Sequence, residues 1–359
     1  MNVLTVVGAR PQFIKAALVS EAMRARGDLI EVLVHTGQHY DPNMSDVFFS
    51  QLGLAAPQHN LGVGSGRHGW QTGEMMARLE PIVATEEPDW LLIYGDTNST
   101  LAGALVAAKL CVPVAHVEAG LRSFNRRMPE EVNRIVADTL ATALFAPTGT
   151  AVQNLAREGI TRGVRHVGDV MLDLLQRARP RAEAGGTLPA LRLTRDGYYL
   201  ATIHRAENTD DLNRLTRLLG SLDRLPAPVV FPVHPRTRGA LQATGWRPRP
   251  GTDLRLIDPV GYLEMVELEA HARAILTDSG GVQKEAFFLG RPCITLRDET
   301  EWTETLEGGW NVLVGTDADR IVSALERSPT GPRRLDAFGN GTAAGQIAAV
   351  LAQGASCVS

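Results

Sequence analysis

The feature that most constrains the fold is an alternation of short apolar segments with helical patterns, which runs through the chain twice. The apolar segments are rich in β-branched residues and are bounded by glycine, as is typical of buried strands. In the first half they read NVLTVVG, IEVLVHTG, WLLIYGD, PVAHVEAG and ALFAPT, and in the second half GYYLATIH, APVVFPVHP, LRLIDPV, RAILTDSGG, RPCITLRD and NVLVGTD. Two such arrays in succession predict an α/β protein with two doubly wound domains.

The length of 359 residues fits two domains of ordinary size. We place the first domain at residues 1–168 and the second at residues 169–341. A final helical segment, 342–354, can pack back on the first domain. Neither half contains a GxGxxG dinucleotide fingerprint or a Walker-type phosphate loop. The domains therefore lack the sequence marks of the common dinucleotide and nucleoside triphosphate sites.

Composition excludes several classes of function. The formal net charge is −4 and there is no basic tract, so nucleic acid is not an expected partner. No apolar run is long enough to span a bilayer, and the N-terminus enters a strand directly, so we expect neither a membrane protein nor a signal peptide. Cys111, Cys293 and Cys357 lack metal-type spacing. We therefore predict a cytoplasmic protein without disulfides.

The most informative stretch, 95–134, carries several carboxylates. Asp96, Glu118, Glu130 and Glu131 lie at or just after the ends of two predicted strands. Loops at the carboxyl ends of parallel strands form the ligand crevice of an open sheet. Carboxylates gathered there need cationic partners or move protons, because a buried unpaired charge is costly. The alternative is that they only cap helices. Nearby cations in the sequence are Arg122, Arg126, Arg127 and Arg134.

Two further segments predict anion sites. In VVGARPQFIK, a strand ends at Gly8, and Arg10 and Lys15 follow at the start of a helix, where backbone N–H groups favour anions. In LTDSGGVQKEAFFLG, the segment Ser279–Gly281 leads from a strand into a helix, and Glu285 lies one turn inside. The glycines suit a phosphate, and a carboxylate suits the hydroxyls of a ribose, so this segment predicts a nucleotide diphosphate site. The alternatives are surface cations for the first segment and a plain helix cap for the second.

A third group of polar residues follows the strands of the second half. In YLATIHRAENTD, His204 emerges at a strand end with Asn208 behind it, and a histidine there can bind or protonate a phosphate. We expect Asn208 to bind substrate beside it. The segment FPVHPRTRG adds His234 at the next strand end. Alternatively, His204 only caps the sheet. The loops 35–49, with His39 and Tyr40, and 297–302, RDETEW, can each face a ligand or plain solvent.

The motifs GARPQFIK, HTGQHYD, GDTNST, HVEAGLRS, PEEVNR, IHRAEN, HPRT and LTDSGGVQKEA occur in this order between residue 3 and about residue 315. In this the chain resembles the non-hydrolysing UDP-N-acetylglucosamine 2-epimerase family. The resemblance implies the GT-B fold, with two Rossmann-like domains and the active site in the cleft between them. It also implies a homodimer, a UDP-sugar substrate, and no requirement for a metal or another cofactor.

The resemblance also assigns residues. Those that match the family's cleft are Arg10, Lys15, Asp96, Glu118, Glu130, Arg134 and His204, and those that match its nucleotide-diphosphate site are Ser279, Gly280 and Glu285. Family members eliminate UDP across C1 and C2 to give a glycal and then add it back with a proton on the opposite face. Arg10 and His204 would stabilise the leaving diphosphate. Asp96, Glu118 and Glu130 are the candidate acid and base, with their roles left open.

This chain departs from the family's best-known members at three places. The segment SFNRRM, 123–128, is short and carries Arg126 and Arg127; Trp302 stands where many relatives have arginine followed by proline; and residues 67–76 do not match the allosteric site of bacterial members. The segments SFNRRMPEEVNR, VGYLEM and KEAFFLGRPC together resemble the subgroup that acts on UDP-2,3-diacetamido-2,3-dideoxyglucuronate. We predict conversion of UDP-GlcNAc to UDP-ManNAc, with the uronate substrate as the alternative. The rivals are a GT-B glycosyltransferase, a hydrolysing epimerase and a non-catalytic nucleotide-sugar sensor.

Overall fold

The computed structural model describes residues 1–38 and 53–355. The side chain of Arg10 and the loop residues His39 and Tyr40 lie outside the described residues. The chain forms two compact units, Met1–Leu174 together with Leu335–Ser359, and Leu175–Arg334. Among the helices of the described ranges, none is long and apolar enough to cross a membrane.

The first unit is built on a seven-stranded parallel sheet with strand order β3-β2-β1-β4-β5-β6-β7. Its strands are β1 (Asn2–Val7), β2 (Ile30–His35), β3 (His59–Asn60), β4 (Trp90–Tyr94), β5 (Val114–Val117), β6 (Ala143–Ala146) and β7 (Val164–His166). Its helices are α1 (Arg10–Arg26), α2 (His68–Glu86), α3 (Asn98–Lys109), α4 (Pro129–Leu140) and α5 (Gly149–Arg157). Helix α6 (Val170–Glu183) contains the boundary between the units.

The second unit has a six-stranded parallel sheet with order β10-β9-β8-β11-β12-β13. Its strands are β8 (Tyr199–Thr202), β9 (Val229–Pro232), β10 (Leu254–Ile257), β11 (Ala274–Thr277), β12 (Cys293–Thr295) and β13 (Asn311–Leu313). Its helices are α7 (Thr187–Ala190), α8 (Ala206–Thr209), α9 (Leu212–Leu222), α10 (Pro235–Thr244), α11 (Tyr262–His271), α12 (Gly280–Leu289) and α13 (Ala318–Leu325). A 3₁₀ segment covers Thr303–Gly309.

The central strands are apolar along their whole length because helices cover both faces of each sheet. Every residue of β4 is buried, and in β1 only Asn2 is exposed. The core of the second unit gathers side chains of β8, β9 and β11 with leucines of α9. The predicted α/β class with two doubly wound arrays is confirmed.

The C-terminal segment belongs to the first unit. After a 3₁₀ turn at Leu335–Phe338, helix α14 (Ala343–Leu351) packs against α1. The buried indole N–H of Trp90 donates to the carbonyl oxygen of Leu351 at 3.1 Å. This bond satisfies a polar group that the apolar surroundings of β4 leave without another partner.

Candidate active site

The candidate residues of the first unit gather where its strand order reverses. Strands β1 and β4 are neighbours there, although β2 and β3 lie on one side and β5 on the other. Such a reversal opens a crevice at the carboxyl edge of a parallel sheet. Lys15 follows β1, Asp96 follows β4 and Glu118 follows β5, so the register of the sheet brings all three to this edge.

Gln12 fastens the turn after β1 to the end of β4. Its Oε1 accepts hydrogen bonds from the backbone N–H groups of Gly8 and Ala9, at 2.8 and 3.0 Å. Its Nε2 donates to the carbonyl oxygen of Tyr94 at 2.8 Å. A Cβ on Gly8 would lie 2.1 Å from the hydroxyl of Ser99, so only glycine fits this turn. The helix that carries Lys15 is thereby held beside β4.

Lys15 and Glu118 form a buried ion pair. Glu118 has a φ of +71°, a left-handed conformation that is uncommon for a residue with a side chain. A Cβ built on Gly95 would lie 3.4 Å from Oε2 of Glu118 and 3.7 Å from Nζ of Lys15, so both charged groups lie directly against that turn. Residues held in such backbone conformations cluster at functional sites.

Arg134 of α4 joins Asp96 to Glu131. One guanidinium nitrogen pairs with Asp96, and the other donates to Glu131 at 2.5 Å. The helix after β4 is capped by Thr97, whose hydroxyl accepts from the N–H of Thr100, so Asp96 is not the helix cap. The side chain of Asp96 is about a third exposed, at 32%, which leaves it accessible to a ligand.

The neighbouring glutamates Glu130 and Glu131 differ sharply in environment. Glu131 is buried and accepts from both N–H and hydroxyl of Ser123 and from the N–H of Phe124, at 2.9 to 3.0 Å. Burial opposes its ionisation, but the bonds from Ser123 and the charge of Arg134 outweigh burial and lower its pKa. Glu130 is half-buried and makes no hydrogen bond or ion pair with any residue of the described ranges. Glu130 is therefore available to exchange a proton, and Glu131 is not.

In the second unit, Asp278 orients His204 at the reversal between β8 and β11. Asp278 is fully buried and lies 3.1 Å from Nδ1 of His204. It also accepts from the N–H groups of His204 and Arg205, at 3.1 and 3.0 Å. Burial opposes its ionisation, but the charge and hydrogen bond of His204 outweigh burial and lower the pKa of Asp278 to about 2. With Nδ1 directed at a carboxylate, Nε2 of His204 is the nitrogen left for a ligand.

Asn208 does not have the ligand-binding role that the sequence suggested. It is fully buried, and its Nδ2 donates to Asp278 at 2.9 Å and to the carbonyl oxygen of Leu296 at 3.2 Å. Its Oδ1 accepts from Nε of Arg214 at 2.7 Å. Both ends of the amide are thus committed inside the protein, and Asn208 positions Asp278 rather than substrate.

The start of α12 presents backbone N–H groups without acceptors among the described residues. Ser279 is its N-cap, with Oγ accepting from the N–H of Val282 at 3.4 Å. The N–H groups of Gly280 and Gly281 have no acceptor within the described part of the chain. Glu285 is buried one turn further along the same helix. Free N–H groups at the positive end of a helix dipole favour a phosphate.

The loop 297–302 packs against this helix start. Arg297 donates to Glu301 at 3.0 Å, and Arg205 lies 3.6 Å from the other oxygen of Glu301. A Cβ on Gly280 would lie 2.6 Å from Oε1 of Glu301 and 3.1 Å from Nε1 of Trp302. The sequence predicts that this loop can face a ligand, and in the structure it lies directly against the start of α12.

Three predicted residues lie at the margins of these two sites. The ring centroid of His234 is 5.6 Å from that of His204, and its Nδ1 accepts from the N–H of Arg236 to cap α10. Arg126 and Arg127 are exposed in the loop that precedes α4, shortly before Glu130. The side chain of Arg10 lies outside the described residues, as stated above.

Sequence reasoning missed the residues that hold the others in place, chiefly Gln12, Glu131 as a structural group, and Asp278. One signal was present, because Asp278 directly follows the apolar run AILT, and a buried carboxylate at a strand end must find donors. The partners themselves come from distant parts of the chain, which no local pattern reports.

The family, the relative and the two solved structures described next are all 2-epimerases of UDP-sugars. The family described as UDP-N-acetylglucosamine 2-epimerase matches residues 21–352. The UDP-2,3-diacetamido-2,3-dideoxy-D-glucuronate 2-epimerase of Pseudomonas aeruginosa is 50% identical, over 98% of this chain and 100% of that protein. A structure of the Methanocaldococcus jannaschii UDP-GlcNAc 2-epimerase with UDP-GlcNAc and UDP is 41% identical, with a TM-score of 0.92 over 99% of this chain and 100% of that one. The Neisseria meningitidis UDP-GlcNAc 2-epimerase bound to UDP-GlcNAc is 29% identical, with a TM-score of 0.87 over 98% and 100%.

Proposed function

The chain belongs to the UDP-N-acetylglucosamine 2-epimerase family, and from this we propose that it inverts C2 of a UDP-activated 2-acetamido sugar, converting UDP-GlcNAc to UDP-ManNAc without net hydrolysis. The enzyme is an epimerase with the GT-B fold, made of two Rossmann-like units. The observation that carries the proposal is the carboxylate cluster at the strand-order reversal of the first sheet, where Asp96, Glu118 and Glu130 are held by separate elements.

The chemistry that the cluster supports is elimination followed by readdition. The proton on C2 of the sugar is only weakly acidic, because C2 is not next to a carbonyl group. A carboxylate removes this proton while the bond between C1 and the diphosphate oxygen breaks, which gives a glycal and free UDP. UDP then adds back to C1 as a carboxylic acid delivers a proton to the opposite face of C2. The atoms balance with one base and one acid, and the sugar returns inverted.

The departing diphosphate needs stabilisation as its charge develops. We assign this to Nε2 of His204 and to the N–H groups of Gly280 and Gly281; Arg10 is a further candidate on the family resemblance alone. Asp278 supports this role because it holds the His204 ring by Nδ1. Glu285 would accept the ribose hydroxyls.

Three carboxylates are candidates for two roles. Glu118 is paired with Lys15, and Asp96 with Arg134. Glu130 has no such partner among the described residues. This difference supports assigning Glu130 to one proton transfer and one of the paired carboxylates to the other.

The uronate UDP-2,3-diacetamido-2,3-dideoxyglucuronate is a second candidate substrate. The relative from Pseudomonas aeruginosa named for it is 50% identical to this chain. A uronate carboxylate requires a cation near C6, and Arg126 and Arg127 offer two exposed guanidinium groups shortly before Glu130. No such cation is required for a neutral sugar.

Turnover of both substrates by Arg126→Ala and Arg127→Ala variants tests this assignment. If the uronate is the substrate, we expect at least one variant to lose about 10-fold or more in kcat/KM on the uronate and little on UDP-GlcNAc. Arg162→Ala, an exposed arginine elsewhere on the first unit, is the matched control. Equal losses on both substrates would remove the specificity role from these arginines.

The assembly and the cellular location follow only from the resemblance and the sequence. We propose a homodimer, and light scattering of the purified protein measures its mass against the 38.8 kDa of one chain. The cytoplasmic location stays a prediction.

A further inference from the structure

A buried histidine–aspartate pair lies behind the carboxylate cluster, and none of the roles above uses it. His116 is in β5 and Asp138 is in α4, and both are fully buried. Nδ1 of His116 is 2.7 Å from Oδ1 of Asp138. Ionisable groups buried this completely are rare unless they are paired and bear on structure or function.

Both ring nitrogens of His116 face oxygens that accept hydrogen bonds. Nε2 is 2.8 Å from the carbonyl oxygen of Gly95, which can only accept, so Nε2 carries a hydrogen. Burial opposes ionisation of Asp138, but the hydrogen bond and charge of His116, followed by those of Arg122, outweigh burial and lower the pKa of Asp138. Asp138 is therefore held as a carboxylate whose Oδ1 faces Nδ1 of His116.

The other oxygen of Asp138 binds the turn after Glu118. Oδ2 accepts from the backbone N–H of Gly120 at 3.0 Å and from Arg122 at 2.7 Å. Arg122 continues to Glu158 at the end of α5, with two hydrogen bonds of 2.7 and 2.6 Å. His116, Asp138, Arg122 and Glu158 thus form one connected chain of polar groups, which lowers the cost of burying them.

This pair connects the three elements that carry the candidate carboxylates. Gly95 directly precedes Asp96 and has a φ of +63°, so the carbonyl that His116 binds belongs to the turn that aims Asp96. Gly120 lies in the turn that follows Glu118. Asp138 itself belongs to α4, the helix whose second residue is Glu130.

We propose that His116 and Asp138 are positioning residues that hold the turns of Asp96 and Glu118 in register with α4 and hence with Glu130. The inference rests on the proposed epimerase function and adds to it the device that sets the geometry of proton transfer. A misplacement of about 1 Å in such a group can cost about 100-fold in rate, so a rigid connection between the three elements has a direct effect on kcat.

Two substitutions of His116 separate its two hydrogen bonds. The amide nitrogen of asparagine takes the place of Nδ1, so His116→Asn keeps the bond to Asp138 and loses the bond to Gly95. The amide nitrogen of glutamine takes the place of Nε2, so His116→Gln keeps the bond to Gly95. Each variant breaks one of the two contacts between the Gly95 turn and α4, so we expect both to lower kcat by about 10- to 100-fold with KM and UDP affinity within about threefold.

A matched pair of aspartates separates positioning from plain stability. Asp223 in the second unit is buried like Asp138 and accepts from the N–H of Arg249 at 3.0 Å and from the hydroxyl of Thr252 at 2.7 Å. Asp138→Asn and Asp223→Asn should both lower the melting temperature, but only Asp138→Asn should lower kcat. The proposal is overturned if the loss of kcat is proportional to the loss of melting temperature in His116→Asn, His116→Gln, Asp138→Asn and Asp223→Asn.

Hydrogen exchange gives a readout that does not depend on activity. The N–H of Gly95 donates to the carbonyl oxygen of Val117 at 2.9 Å and reports on the turn that His116 holds. A peptide covering residues 94–97 should exchange faster in His116→Asn than in wild type and at nearly the wild-type rate in His116→Gln. Equal exchange of this peptide in wild type, His116→Asn and His116→Gln would overturn the positioning role, even if the enzyme epimerises. A wild-type protein that epimerises neither substrate would instead refute the proposed epimerase function, and it would leave the connection between the turns untouched.

Discussion

At the scale of single residues, two adjacent glutamates have opposite environments, and this decides which one can take part in chemistry. Glu131 is enclosed by donors from Ser123, Phe124 and Arg134. Glu130, one residue earlier, receives no hydrogen bond from any of the described residues. The sequence PEE does not distinguish them. The turn before α4 distinguishes them in the structure, because it places the N–H groups of Ser123 and Phe124 against Glu131.

This difference predicts different outcomes for the same substitution. Glu130→Gln should lower kcat by at least about 100-fold with little change in KM, because it removes a proton-transfer group. Glu131→Gln should instead lower the melting temperature, because it leaves donors of Ser123 and Arg134 poorly matched. Steady-state kinetics and thermal melts of the two variants measure this. Near-normal turnover by Glu130→Gln would remove Glu130 from the mechanism.

The buried Asp278 predicts a dependence of stability on pH. Its pKa is lowered from 3.8 to about 2 in the folded protein, so the folded state favours the ionised form. Its contribution to stability is therefore complete above about pH 4 and is lost as the pH falls through about 2. The melting temperature of wild type should decline more steeply over this window than that of Asp278→Asn. Parallel declines would contradict the assigned pKa.

At the scale of elements, the start of helix α12 shows how close packing constrains the residue type at the proposed phosphate site. Its first residue must be glycine because the loop 297–302 lies against it, with Glu301 and Trp302 within contact distance of a missing Cβ. The same bare backbone leaves the N–H groups of Gly280 and Gly281 open to a phosphate. The lack of a side chain on Gly280 therefore allows both the close packing of the loop 297–302 and access to the N–H groups.

Gly280→Ala should therefore weaken UDP binding. The added methyl group would lie 2.6 Å from Oε1 of Glu301 and push the loop or the helix start away. We expect a loss of about 10-fold or more in affinity for UDP, measured by calorimetry. Gly220→Ala in α9 is the control, because its Cβ would meet nothing within 4 Å. Equal affinities for the two variants would show that UDP does not use the α12 start.

The elements themselves were largely predictable, and the exceptions have physical reasons. Strands such as WLLIYGD and LRLIDPV appear as β4 and β10, because their apolar runs are long enough to be recognised. Strand β3 has only two residues, too few for any pattern. Helix α6 runs on through Pro180 to Glu183, although a proline predicts a helix end. The sequence from 179 onward predicts a linker instead, because it is rich in Pro, Gly and Arg and has no clear periodicity.

At the scale of the whole molecule, two alternating arrays predicted two parallel-sheet units, and this is confirmed. The position of the final helix was open in the sequence, because α14 is apolar enough to pack on either unit. The structure assigns it to the first unit, where Leu351 accepts the hydrogen bond of the Trp90 indole. The candidate site residues were found from strand ends in a parallel sheet, but their catalytic roles stay predictions.

The most direct test of the account is proton exchange at C2. The purified protein is incubated in D₂O with UDP-GlcNAc, and separately with UDP-2,3-diacetamido-2,3-dideoxyglucuronate, and C2 is followed by proton NMR. The account predicts a manno product from at least one substrate, with deuterium at C2. A product that keeps protium at C2, or no exchange with either substrate while UDP still binds, would contradict it.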